Sequence, residues 1–108
     1  MTESIFVEYF GRTSIAKVLD FLIVGRDFDY SITDIARGAC VGWSAFMRIW
    51  KFLVAKKVVV FTRKVGRAEL YKLNVADPTV ASLVRLYWEI TKSETEKSLK
   101  IPIAVKAR

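Results

Sequence analysis

The chain has 108 residues, is 53% hydrophobic and carries a formal net charge of +7. This length fits one small domain, the apolar content is too high for a disordered chain, and no apolar run approaches the roughly 20 residues that a membrane span needs. The single cysteine excludes an internal disulfide bond, and the absence of histidine excludes a histidine-based catalytic triad and argues against a structural zinc site.

The start of the chain lacks the basic residues and long apolar stretch of a secretory signal peptide. We therefore expect a cytoplasmic protein that is not associated with a membrane. The sequence also contains no phosphate-binding glycine-rich loop and no paired carboxylates at a suggestive spacing. We accordingly expect neither an enzyme nor a site for a metal or another cofactor.

The positive charge is concentrated in one part of the chain. Residues 1–30 carry a net charge of −2, residues 31–73 a net charge of +7 and residues 74–108 a net charge of +2. A local excess of lysine and arginine is the electrostatic pattern expected of a protein that binds a phosphate backbone. Basic surfaces also aid solubility, so the charge alone does not decide the function.

The first part of the chain predicts an amphipathic helix between two short segments. The segment IFVEYFG, residues 5–11, is apolar and aromatic, which indicates a lead-in packed on the core. Thr13 or Ser14 can cap the helix, whose apolar residues recur at helical spacing as far as Gly25. The segment RDFDYS, residues 26–31, alternates polar and aromatic residues and suits one small strand.

Residues 31–56 have the pattern of two helices joined by a tight turn. Ser31 opens the first of these helices and Gly38 ends it. The next one, the third predicted helix, begins near Gly42 or Trp43 and runs to about residue 56. In the turn, Cys40 is expected to be a small buried residue rather than a reactive thiol. The sequence therefore predicts a helix-turn-helix.

Two apolar stripes run along this third helix. One faces the core at helical spacing and comprises Phe46, Ile49, Trp50 and Leu53. The other is displaced around the helix and comprises Trp43, Met47, Trp50 and Val54. The second stripe either shares the core or forms a surface for another protein, because sequence alone does not fix the rotation of a helix.

Beyond the third helix, the apolar period changes from that of a helix to that of a strand. The runs VVVFTRK and RAELYKLN are joined by a short turn in which Gly66 can adopt a positive φ. Three basic residues cluster at the tip of this predicted hairpin: Arg63, Lys64 and Arg67.

A last helix follows the hairpin. Asp77 is its cap and Pro78 its first residue, which together give a strong helix start. The apolar stripe of this helix continues to Ile90, and Leu86 and Trp88 lie off that stripe. Of the two sets, the stripe and the pair Leu86 and Trp88, one is expected to pack on the domain and the other on a second copy of the chain. The predicted domain spans residues 1–92, and residues 93–108 are predicted to form a charged helix end and a loose tail.

The predicted order of helix, strand, helix, helix, hairpin and helix is that of a winged helix-turn-helix domain, mostly α with a small β-hairpin wing and an additional C-terminal helix. Residues 8–74, above all the segments SITDIAR and TRKVGRAELYKLN, resemble small prokaryotic, especially archaeal, winged-helix transcriptional regulators of the ArsR/MarR kind. The resemblance implies a DNA-binding transcription factor, usually dimeric, with its third helix in the major groove and its wing on the backbone or in the minor groove.

The chain departs from these regulators at two turns and along the third helix. They usually have glycine where this chain has Cys40 and Lys57, and glycine adopts a positive φ without a Cβ penalty. They also have mostly polar residues at the positions that read DNA, where this chain places Trp43, Ala45 and Met47 among its polar side chains.

Two functions remain open. A regulator of double-stranded DNA, acting as a homodimer, would place Ser44, Arg48 and Lys51 on base edges and phosphates, and its wing residues Arg63, Lys64 and Arg67 on the backbone. A protein-binding module on the same fold, natural or engineered, would instead present the displaced apolar stripe of the third helix. We favour DNA, because the charge distribution and the wing both indicate nucleic acid.

Overall fold

A computed structural model describes the backbone of residues 5–107 and the side chains of residues 5–93. Its elements, in chain order, are α1 (Ile5–Phe10), α2 (Ser14–Val24), β1 (Tyr30–Ser31), α3 (Ile32–Ala39), α4 (Trp43–Ala55), β2 (Val59–Val65), β3 (Ala68–Leu73) and α5 (Pro78–Ala107). The strands form an antiparallel sheet in the order β1-β3-β2. The prediction of a mostly α winged helix-turn-helix with a hairpin wing and a C-terminal helix is confirmed.

The largest differences from the sequence predictions lie before the helix-turn-helix. The apolar lead-in forms a helix, α1, so the third predicted helix is α4. Phe6 of α1 is buried, and its ring centroid lies 5.1 Å from that of Tyr87 on α5.

The strand expected over residues 26–31 has only two residues. It ends at Ser31, because the Ser31 side chain accepts a hydrogen bond from the Asp34 amide and so caps α3. The tail predicted over residues 93–108 lies almost wholly outside the described side chains.

One apolar core joins α2, α3 and α4 to the sheet and to the first turns of α5. Its largest fully buried side chains are Phe46, Leu22, Ile23, Ile35, Leu53, Leu73, Val18 and Val80. Gly38, which was expected to end α3, lies inside that helix. The ring of Phe21 on α2 occupies the space that a Cβ atom at this position would need, so glycine allows α2 and α3 to approach closely.

Both turns at which glycine was expected have left-handed backbone. The φ angle is 59° at Cys40 and 60° at Lys57. After α3, the amide of Cys40 donates to Arg37 and that of Val41 to Ala36; after α4, the amide of Lys57 donates to Val54 and that of Val58 to Leu53. This pair of hydrogen bonds is the Schellman motif, which caps a helix end around one left-handed residue. The Cys40 side chain is exposed, so the prediction that it is buried is wrong: the motif holds it outside the core.

Replacing Cys40 or Lys57 by glycine should raise the free energy of unfolding by about 0.5–1 kcal/mol each, because residues with a Cβ atom are strained in the left-handed region. Urea unfolding followed by circular dichroism measures the change. The control is Lys51→Gly, an exposed position inside α4, which should instead lose about 1 kcal/mol. A loss of stability in both Cys40→Gly and Lys57→Gly would contradict the strain argument.

Candidate nucleic-acid interface

The structure fixes which face of α4 is turned to solvent. Phe46, Trp50 and Leu53 are buried in the core. At about 100° per residue, the opposite side of the helix carries Ser44, Arg48, Lys51 and Ala55, and all four side chains are exposed. The three polar residues therefore form a continuous stripe, Ser44–Arg48–Lys51, on the outer face of α4.

The displaced apolar stripe of α4 does not form a surface of its own. Trp50 is only 4% exposed, and Met47 is half-buried against the same core. Trp43 and Val54 are 54% and 43% exposed and lie beside the polar stripe. Trp50 was therefore wrong as a candidate for contact with a protein partner, because the rotation of α4 directs its ring inward.

Five aromatic rings, here named the aromatic series, connect α4 to the wing. The rings belong, in order, to Trp43, Phe46, Trp50, Tyr71 and Phe61, and successive centroids lie 5.7, 5.5, 5.1 and 5.8 Å apart. The series packs the hairpin against α4. The sequence patterns did not predict this series, although Phe61 and Tyr71, which face each other across the two hairpin strands, indicated part of it.

The wing ends in a tight turn that carries two cations. Gly66 has a φ of 62° and Arg67 has a negative φ, the combination found in type II′ hairpin turns. The side chains of Lys64 and Arg67 are exposed, and neither forms an ion pair with a side chain that the structure describes. On the adjacent strand, partial burial and a hydrogen bond donated to Glu69 raise the pKa of Tyr71.

Arg63 is directed away from the wing tip. The strand register shifts between Phe61 and Arg63, and Arg63 Nε donates to Asp29 Oδ2 at 3.0 Å while Nη2 approaches Oδ1 at 3.3 Å. Thr62 Oγ1 donates to the same carboxylate at 2.6 Å. The hydrogen bonds from Arg63 and Thr62 hold the pKa of Asp29 below its ordinary value of 3.8. The pair ties the wing to the loop before β1, so Lys64 and Arg67 are the cations left at the tip.

On α5, the predicted apolar stripe packs on the domain. Val80 and Ile90 are buried, and the Tyr87 hydroxyl donates to Asp20 of α2 at 2.8 Å. Leu86 and Trp88 are both exposed. Positions two residues apart lie on nearly opposite sides of a helix, so these two side chains cannot face the same partner helix.

Two further properties bear on the function. No described helix is long and apolar enough to cross a membrane. Within the described part of the chain, no group of three or more cysteine, aspartate or glutamate side chains is placed to hold a metal ion.

Comparison with known proteins identifies structural neighbours only. No protein-family model and no curated protein sequence matches the chain. Among solved structures, the chain is similar to Sso10a-2, a DNA-binding protein from Sulfolobus solfataricus, with a TM-score of 0.51 and 13% identity over 85% of this chain and 94% of that one. It is also similar to a double mutant of ZitR from Lactococcus lactis in its apo form, with a TM-score of 0.55 and 14% identity over 94% of this chain and 73% of that one. At these identities the likeness is one of fold, and the fold of the chain is the winged helix-turn-helix.

Proposed function

We propose that the chain is a DNA-binding transcriptional regulator, which lays α4 in the major groove of double-stranded DNA and contacts the backbone with its wing. The observation that carries this proposal is the polar stripe Ser44–Arg48–Lys51 on the solvent face of α4. A helix that reads DNA has to present donors and cations away from the core. The similar fold of a protein described as DNA-binding supports the same conclusion.

Each residue of the stripe has a distinct role. The Arg48 guanidinium can donate two parallel hydrogen bonds to O6 and N7 of guanine, the commonest specific base contact. Ser44 lies in the first turn of α4, where a hydroxyl can reach a base edge or a phosphate. Lys51, farther along the helix, supplies a positive charge to a phosphate. Trp43 and Val54 flank the stripe and cover the edge of the core or touch thymine methyl groups.

The start of α4 adds a second phosphate contact. Its N-cap is Gly42, which has no side chain to accept a hydrogen bond from the amides of the first turn. Free amides at a helix N-terminus bind phosphate, because the helix dipole also favours negative charge there. In this proposal a backbone phosphate caps α4 in the complex.

The wing contact can be tested with the double variant Lys64→Ala and Arg67→Ala. It should weaken binding to every duplex sequence and reduce the slope of log affinity against log salt by about 1.8, because each phosphate contact contributes about 0.9. The control is the double variant Lys17→Ala and Lys92→Ala on α2 and α5, with the same change of charge. Fluorescence anisotropy at a series of salt concentrations provides both slopes. If the slope of log affinity against log salt is the same in the two double variants, the wing does not contact the DNA backbone.

We also propose that two copies of the chain pair through α5. Trp88 is 59% exposed, which is unusual for so large an apolar side chain. A two-fold dimer through this helix would place two α4 helices about 34 Å apart, one turn of DNA.

Trp88→Glu should therefore yield monomers in sedimentation velocity experiments. Leu86→Glu, on the opposite flank of the same helix, is the matched control and should leave the dimer intact. If the wild-type chain sediments as a monomer, or if Trp88→Glu leaves its mass unchanged, this dimer is ruled out.

A protein partner is the second candidate for the surface of α4. Two exposed apolar side chains on the same flank of the polar stripe favour it: Trp43 and Val54. In this alternative Trp43 anchors the partner, and Arg48 lies at the rim of the contact.

A further inference from the structure

A cavity with a volume of about 360 Å³ is lined by residues outside α4. It lies between the loop after α2, strand β3 and the first turns of α5. Successive residues of a strand point to opposite faces, so Lys72, which lines the cavity, points away from the face that carries Tyr71 and Leu73. Tyr71 packs on Trp50 of α4. The proposed DNA interface therefore makes no use of this cavity.

Three cations from three different elements converge on the cavity. They are Arg26 after α2, Lys72 on β3 and Arg85 on α5, and Asp27 is the only acidic residue of the lining. Among the side chains that the structure describes, none of the three cations forms an ion pair. Three positive charges with one negative charge leave the cavity a net positive charge, which favours an anionic ligand.

Hydrogen bonds position two of these cations without using all of their donors. Arg26 Nη1 donates to the carbonyl oxygen of Ile23 at 2.7 Å, and Arg85 Nη2 donates to Ser82 Oγ at 2.9 Å. A guanidinium has five N–H donors in a planar fork, so each arginine keeps further donors for a carboxylate.

The remaining wall of the cavity is apolar. Val75, Ala81 and Val84 line it, and Val75 is among the exposed large apolar side chains of the domain. Ligand sites of about 300–1,000 Å³ commonly combine an apolar wall with a few polar groups that fix the orientation of the ligand. A bare inorganic anion would leave this wall in contact with water.

We propose that this cavity binds a small organic carboxylate, with its charged group toward Arg26, Lys72 and Arg85 and its apolar body against Val75, Ala81 and Val84. The ligand would bridge the wing strand and α5. If the chain is the DNA-binding dimer proposed above, such a ligand acts as an effector, because it favours one arrangement of wing and dimer helix over another. Binding of the carboxylate itself does not depend on that function.

The test uses the whole chain without DNA and hexanoate as the probe, followed by ¹H–¹⁵N correlation NMR. Hexanoate should give saturable shifts at the amides of Val75, Ala81 and Val84. Hexanamide, which is neutral and of nearly the same shape, should bind at least about tenfold more weakly, and so should hexanoate to Lys72→Gln or Arg85→Gln. The matched control Lys56→Gln, at the end of α4, should bind hexanoate like the wild type. The unliganded spectrum of each variant reports whether it is folded.

Several outcomes would overturn the proposal. Shifts that do not saturate, equal affinity for hexanamide, or unchanged affinity in both cavity variants would show that the cations do not select a carboxylate. Inorganic phosphate binding as tightly as hexanoate would show that the apolar wall contributes nothing. Shifts at the same amides with duplex DNA but not with hexanoate would assign these cations to a DNA backbone instead. All of these results are independent of whether α4 binds DNA.

Discussion

Trp50→Ala should lower the free energy of unfolding by about 3–5 kcal/mol, the cost of removing a large aromatic side chain from a packed core. Trp50 is 4% exposed and lies in the middle of the aromatic series, between Phe46 of α4 and Tyr71 of β3. Domains of this kind have a total stability of only about 5–15 kcal/mol, so the loss is a large part of the whole. The truncation also removes the contact that places the wing beside α4.

Trp43→Ala is the matched control for this prediction, because Trp43 is an exposed end of the same aromatic series. It should cost less than about 1 kcal/mol, as for most exposed positions. Both values come from urea unfolding of the two variants and the wild type. Similar losses at Trp43 and Trp50 would show that the position along the series does not determine the contribution of each ring.

Arg48→Ala should weaken binding to the preferred duplex by about 1–3 kcal/mol and relax the preference at one base position. The preferred sequence is first selected from a pool of random duplexes, and the affinities for single-base variants are then measured. Arg48 is exposed on α4, so the variant should keep its stability within about 0.5 kcal/mol. A loss of affinity therefore reports a contact and not unfolding.

Met47→Ala distinguishes the two candidate functions of α4. Met47 is half-buried against the core and lies on the side of the helix that carries Trp43 and Val54. In the proposed regulator this change leaves DNA affinity within about threefold of the wild type. A neutral Arg48→Ala, together with a Met47→Ala that disrupts a complex with another protein, would favour the protein-binding module.

Most of the fold could be predicted, because the sequence features that mark its helices and strands are local. Ser31, Asp77 and Pro78 mark helix starts through their own side chains, and the change from helical to alternating period marks the wing without reference to other segments. The helix α1 was missed as a helix because six residues are too few to show a repeating stripe. The length of β1 depended on where α3 begins.

The candidate site was less predictable because it depends on contacts between distant segments. Trp50 belongs to both apolar stripes of α4, and the burial of Phe46 and Leu53, with Trp43 and Val54 exposed, shows which stripe faces the core. The orientation of Arg63 depends on the register shift of β2 and on Asp29, neither of which a period-two pattern reveals. The cationic cavity gathers residues from three elements, so no single segment indicated it.

The measurement that most directly tests DNA binding is the affinity of the wild-type chain for a duplex of random sequence as a function of salt concentration. Lys51, Lys64 and Arg67 supply three phosphate contacts per chain in the proposed complex. A plot of log affinity against log salt should therefore fall with a slope of about −2.7 or steeper, since each contact contributes about −0.9. A folded chain that binds no duplex at low salt, or whose affinity does not change with salt, would contradict the proposed DNA interface.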